Sequence, residues 1–135
     1  MGVFADIEKA LQGQVNSITG TPKIQWENDD SYVPVLGTRY WRVTNLPVES
    51  ALETAGKLVK HTGIYQVDIF VPSNKGLATV TADMDKIYTV FNSLLWLDKN
   101  GSRIYIKSVG RGRVENEKNG WCKGFIVIYY ECYAH

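Results

Sequence analysis

The chain lacks the features that usually announce a chemistry or a membrane. It has two cysteines, two histidines and four prolines among 135 residues. A bilayer span needs about 20 predominantly apolar residues in a row, and no stretch here approaches that. Fifteen Lys and Arg against 14 Asp and Glu leave a net charge of +1. That balance argues against a dedicated nucleic-acid binder, whose footprint is a large basic excess, and against a solvating acidic tail. Cys122 and Cys132 lie ten positions apart, about 33 Å along one strand at ~3.3 Å per residue. A disulfide needs Cα atoms within about 7 Å, so two free thiols are expected. His61 and His135 are far apart, with no Cys or carboxylate at zinc spacing. No cofactor or metal is expected. Met1-Gly2-Val3-Phe4-Ala5-Asp6 lacks the charged and apolar regions of a secretory signal. Asp6 stands where a myristoylation motif wants Ser or Thr, so the expected compartment is the cytosol.

What is present is patterning. A chain of this length forms one domain, residues 1–135, and buries roughly two-thirds of its unfolded surface. Phe4, Ile7, Leu11, Val15 and Ile18 make a helical stripe over Val3–Ile18, with Asp6 and Glu8 in its first turn, where the helix dipole favours them. Gly20-Thr21-Pro22 ends it. Ile24–Glu27 reads as a short strand, 28–31 as a polar turn and 32–38 as irregular. Tyr40–Leu46 is a strand closed by Pro47. Glu49–His61 is ambiguous between a helix interrupted by Gly56 and a loop leading into a strand from Leu58, with Gly63 at a bulge. The second reading is favoured.

Gly63 to Pro72 then alternates Tyr65, Val67, Ile69 and Val71 against Gln66 and Asp68. A turn at 73–76 leads into a helix whose stripe is Leu77, Val80, Met84, Ile87, Phe91 and Leu94. Asn100-Gly101 between apolar runs is the strongest short hairpin signal, joining a strand through Trp96 to one over Arg103–Val109. Residues 110–120 are too glycine-rich and charged for core. Trp121–Tyr133 is a final strand apolar on both faces, with Trp121, Phe125, Val127 and Tyr129 on one and Ile126, Ile128 and Tyr130 on the other. Such a strand is central, or covered from outside the domain. The expected class is α+β: a mixed, mostly antiparallel sheet of about four to six strands with two helices packed on one face.

Candidate sites are few. Arg103, Lys107, Arg111 and Arg113 form a local basic cluster suited to phosphate or an acidic partner, offset by Glu115 and Glu117 nearby. Gly110-Arg111-Gly112-Arg113 does not match a phosphate loop. Tyr65, Tyr105, Tyr129, Tyr130 and Tyr133 invite a base-stacking platform, yet neutral net charge withholds its electrostatic half. Asp83 and Asp85 point apart on their helix and read as solvent-face charges. Ser73 reads as a turn or capping residue. No nucleophile, base and orienting group come together.

The order of helix, Trp26-Glu27-Asn28, strand ending Leu46-Pro47, Gly63-Ile64-Tyr65-Gln66-Val67-Asp68 with Pro72, a helix with Ala82-Asp83 and Phe91, the hairpin, and a last strand entered through Gly120-Trp121 resembles the small tail-terminator or tail-completion proteins of long-tailed bacteriophages. The resemblance covers nearly the whole chain. It implies a structural virion protein rather than an enzyme, assembled in the host cytoplasm and carried in the tail. Such proteins form a hexameric ring on the head-proximal end of the tail tube, stop tube polymerisation and meet the head-completion or connector proteins. Partners would be further copies of itself, the major tail tube protein and the connector, with DNA passing through the lumen without specific binding. Interface candidates are then Arg103, Lys107, Arg111 and Arg113, with Ile126, Ile128 and Tyr130 as an apolar side for a neighbour, and the 49–61 segment is expected to order on the tube. The alternatives are a small ligand-binding or enzymatic α+β domain and, third, a single-stranded nucleic-acid module.

Overall fold

A computed structural model describes residues 2–27, 33–35, 37–52, 59–73, 77–92, 96–116 and 120–134. The elements are α1 (Val3–Asn16), β1 (Lys23–Gln25), β2 (Tyr40–Leu52), β3 (Val59–Pro72), α2 (Leu77–Asn92), β4 (Trp96–Lys99), β5 (Ser102–Arg111), β6 (Glu115–Asn116) and β7 (Trp121–Ala134). The sheet runs β1-β2-β3-β7-β5-β4, with the two-residue β6 pairing beside β7. β1 lies parallel to β2. The other pairings are antiparallel. The fold is α+β, as the alternation of patterns predicts.

Alternation decides which face is core. Tyr65, Val67, Ile69 and Val71 of β3 are fully buried. Their partners on β7 are Ile128, Ile126, Gly124 and Cys122, and Val43 and Trp41 of β2 lie opposite Val67 and Ile69. α1 lays Ile7, Leu11 and Val15 on this face, and α2 lays Val80, Met84, Ile87 and Phe91. Each such side chain contributes about 1.5–3 kcal/mol by leaving water. Gly124 lets α2 come close, since a Cβ there would sit 2.7 Å from Val80 Cγ1.

Several expectations are corrected by tertiary context. Pro47 does not close β2, which continues to Leu52. The backbone N–H of Asn45, two residues earlier, points out of the sheet to Glu27, so Pro47 falls on the side where the ladder needs no donor. The bulge predicted at Gly63 is on β2 instead, between Pro47 and Glu49, and Gly63 faces Pro47 across it. Residues 49–52 are strand rather than loop, while 53–58 lie outside the described residues, as do the turns at 28–31 and 74–76 and Leu94. Leu77 is exposed, outside the buried stripe. Asp83, read as a solvent charge, is buried beneath Trp41. Asp6 is buried too, accepting hydrogen bonds from Asn100 and Ser102. The Asn100-Gly101 hairpin forms as predicted, both residues having positive φ (50° and 85°), the requirement of the tight primed turn.

Gly63 is required by packing. A Cβ there would collide with the hydroxyl end of Tyr130, and that end is pinned because the hydroxyl donates to Asn45 Oδ1 at 2.8 Å. Gly63→Ala is expected to cost about 1–3 kcal/mol by overpacking, read from the denaturation midpoint. An unchanged midpoint would show that Tyr130 swings clear.

Both cysteines are free and buried. Burial, helped by the Asp6 charge, pushes the Cys132 thiol from 9.0 up to about 11. Burial likewise raises Tyr65 and Tyr130. A raised acid favours the folded state while protonated. Its contribution is therefore complete below the unfolded thiol's pKa of 9.0 and is lost as pH climbs toward about 11. The melting temperature is expected to fall across that window, and Cys132→Ala to flatten part of the fall. A slope unaffected by the substitution would assign it elsewhere.

Candidate functional site

Among the described residues, no group of three His, Cys, Asp or Glu side chains could hold a metal ion, and no helix is long and apolar enough to cross a membrane. What the fold presents is surface of three kinds.

The first is the sheet face opposite the helices. Leu46, Ile64 and Tyr129 are register partners across β2, β3 and β7 and form an apolar row. Leu46 is 47% and Tyr129 45% exposed, an unusual load for one row of a solvated face. At one end of this face Tyr40 stacks on Phe70 at 4.7 Å, and Trp121 meets Tyr40 edge-on at 5.3 Å. Arg42 covers Phe70 at 4.9 Å and reaches the buried Asp68 at 3.4 Å, which also accepts from Gln66 at 2.8 Å. This cluster explains the Gly120-Trp121 entry. Gly120, with φ of 83°, turns the chain into β7 and accepts the Ser73 N–H at 2.9 Å, while Trp121 closes the aromatic group. At the other end Arg103 stacks over Trp96 at 4.5 Å, and Tyr105 meets Trp96 and Tyr133 edge-on.

The second is a notch of about 400 Å³ where the start of α1 meets β2 and β3, lined among others by Phe4, Glu8, Glu27, Asn45, Val48 and Tyr130. Asn45 organises it. Its Nδ2 donates to Glu8 at 2.8 Å, its backbone N–H to Glu27 at 3.3 Å, and its Oδ1 accepts from Tyr130. Nearby, the Tyr65 hydroxyl is buried with no hydrogen-bond partner among the described residues, and the Glu8 and Glu27 charges add to the burial that raises its pKa. Spacing could not reveal this grouping. Its only signal was Glu27 within Trp26-Glu27-Asn28, where Trp26 packs against the core.

The third is a basic segment, Arg111 to Arg113, beside the start of α2, with Leu77, Thr81, Met84 and Val114 around it.

The predicted basic cluster does not come together. Arg103 and Arg111 lie eight positions apart on β5, about 26 Å at ~3.3 Å per residue. The extra residue is Lys107, at a bulge between Ile106 and Ser108. One inserted residue swaps the faces. Arg103 therefore shares the open face with Tyr133, whereas Arg111 falls on the helix side opposite Ile126. Arg103 is bound at home: its Nε donates to Asp98 at 3.1 Å, and that hydrogen bond raises its pKa further. Lys107 lies 3.8 Å from Glu131. Arg111 and Arg113 are exposed, with no ion pair among the described residues. Ile126, Ile128 and Tyr130 are 1%, 0% and 4% exposed. The chain's own helices cover that face of β7, so the apolar surface left for a neighbour is the opposite one. The tyrosine platform divides likewise: Tyr65 and Tyr130 face the core, while Tyr105, Tyr129 and Tyr133 lie on the open face.

Comparison with known proteins agrees with this architecture. Among curated protein sequences, none matches. One solved chain superposes over 98% of this chain and 94% of its own length, with a TM-score of 0.75 at 18% identity. A second, from the virion of a native gene transfer agent particle, superposes over 98% of each chain, with a TM-score of 0.66 at 14% identity. At those identities the likeness is one of fold. The model of the family described as phage tail terminator protein matches residues 6–130, nearly the whole chain from α1 into β7. The chain belongs to the phage tail terminator family, and its role is that of a structural component of the phage tail.

Proposed function

We propose that the protein forms a ring, of six subunits, on the head-proximal end of the tail tube. There it stops tube polymerisation and joins the tail to the head-completion or connector proteins. The observation that carries this reading is the family match over residues 6–130. Two features of the chain support it. The open sheet face carries an apolar row at Leu46, Ile64 and Tyr129, of the sort that protein contacts cover. The balanced net charge of +1 suits a lumen through which DNA passes without being held. The role proposed is mechanical, with no substrate turned over. Contacts that close head-to-tail into a ring need two different patches on each subunit.

Light scattering at rising concentration, with negative-stain imaging, tests the ring. Six chains of 15.2 kDa each should give a particle of about 91 kDa with a central hole. A strict monomer at every concentration would overturn the ring.

A further inference from the structure

Among the charges that have no ion-pair partner within the described residues, two pairs stand out because each is clustered. Glu8 and Glu27 bond the neutral Asn45, and neither has a cationic partner among the described residues. Arg111 and Arg113 have no anionic partner among the described residues. Each unmatched pair stands beside exposed apolar side chains. At the notch these are Phe4 and Val48, 64% and 62% exposed, and at the basic segment Leu77, 59% exposed. An acidic notch and a basic ridge, each with an apolar rim, are complementary in charge and in character.

Their placement suits a repeating contact. The cross-sheet row Asn45, Tyr65, Ile128, Val109 puts the notch and the ridge at nearly the same level, with Arg111 one step along opposite Ile126. β3 and β7 lie between them. The short strands leave both places open: β1 pairs only with Tyr40–Arg42 of β2, and β4 only with Ser102–Tyr105 of β5. Extending the ladder from one copy to the next would be the simplest join, but β2 is blunted against it. The Asn45 N–H is taken by Glu27, and Pro47 has none to offer. A join at this edge runs through side chains. The notch is also suited to a donor-rich guest, since two carboxylates, Glu8 and Glu27, line it. A guanidinium supplies several donors in a planar fork that carboxylates match.

We infer that the Glu8–Glu27 notch of one copy receives the Arg111–Arg113 segment of a second copy of this chain, the contact repeating head-to-tail. The inference rests on the ring reading above and names the surfaces that close it.

Complementary charge reversal tests it. Glu8→Lys/Glu27→Lys makes the notch repel its neighbour's ridge, and Arg111→Glu/Arg113→Glu makes the ridge repel its neighbour's notch. Each variant alone is expected to stay monomeric where the unaltered chain forms rings. An equimolar mixture pairs every altered surface with a complementary one and is expected to restore rings of about 91 kDa, six chains of 15.2 kDa. Should the lysine variant fail to fold, Glu8→Gln/Glu27→Gln keeps the oxygen acceptors for Asn45. It is expected to need about tenfold more protein to assemble, with a weakened salt dependence. Rings formed by either reversal variant alone, or folded variants that do not rescue each other, would overturn this contact and leave the ring itself standing. An unaltered chain that never assembles would overturn both.

Discussion

Asp83→Ala is expected to destabilise the protein by about 3 kcal/mol, because it removes the acceptor of a buried indole and the anion at the centre of a charge group. Asp83 is 1% exposed and Trp41 fully buried, and the indole N–H donates to Asp83 Oδ2 at 3.0 Å. Arg39 Nη1 approaches the same oxygen at 3.3 Å, and Lys86 Nζ lies 3.7 Å from Oδ1. The two cations are about one-third exposed, so water can take them back when the carboxylate is gone, and they add little to the loss. The indole cannot be reached by water without opening the core, so its desolvation penalty is the larger effect. For a domain of this size the melting temperature should drop by roughly 10 °C. Asp83→Asn keeps an acceptor for Trp41 and should lose about 1 kcal/mol. Equal losses for the two substitutions, or a loss below about 0.5 kcal/mol for alanine, would mean that the indole is not held as described.

The second large effect separates core from interface on one strand. Ile128 is fully buried and Tyr129, its neighbour, is 45% exposed. Ile128→Ala is expected to cost about 2–5 kcal/mol through the cavity it leaves, and Ile128→Asp to abolish folding by burying an unpaired charge. Tyr129→Ala removes a ring that stands on the open face and should change monomer stability by less than about 1 kcal/mol. Circular dichroism and denaturant titration of the three variants decide the matter. If Ile128→Asp folds as a monomer, the helices do not cover that face of β7, and the residue returns to the list of surfaces a neighbour could use. A large loss at Tyr129 would show the open face to be packed within the chain.

These two sites also show what the sequence could carry. Period-two alternation in Tyr65 to Val71 and the helical stripes of α1 and α2 identified the core directly, because each depends on neighbours within one element. Asn100-Gly101 identified its hairpin for the same reason. Asp83 was misread because its partners are 42 and 44 positions away, and a carboxylate inside an apolar stripe looks like a solvent charge until Trp41 and Arg39 arrive. The basic residues Arg103, Lys107 and Arg111, spaced by four, should share a face of an uninterrupted strand. One bulge at Lys107 splits them, and nothing local marks a bulge there. Pro47 gave a correct rule with the wrong consequence, since whether a strand tolerates proline depends on which edge faces the next strand. The notch was invisible because Glu8, Glu27, Asn45 and Tyr130 come from four separate stretches. The apolar character of β7 on both faces was legible, but which face meets the helices was not.

The family match identifies the kind of protein, and the most direct test of what this chain does within a tail is growth of the tube itself. Its cognate tail tube protein should be polymerised with and without the purified chain, and tube lengths and ends measured by electron microscopy. Tubes are expected to shorten as the chain is added, each halted tube bearing a ring at one terminus only. Unchanged length distributions with bare ends, at concentrations where the chain is folded, would contradict the capping role.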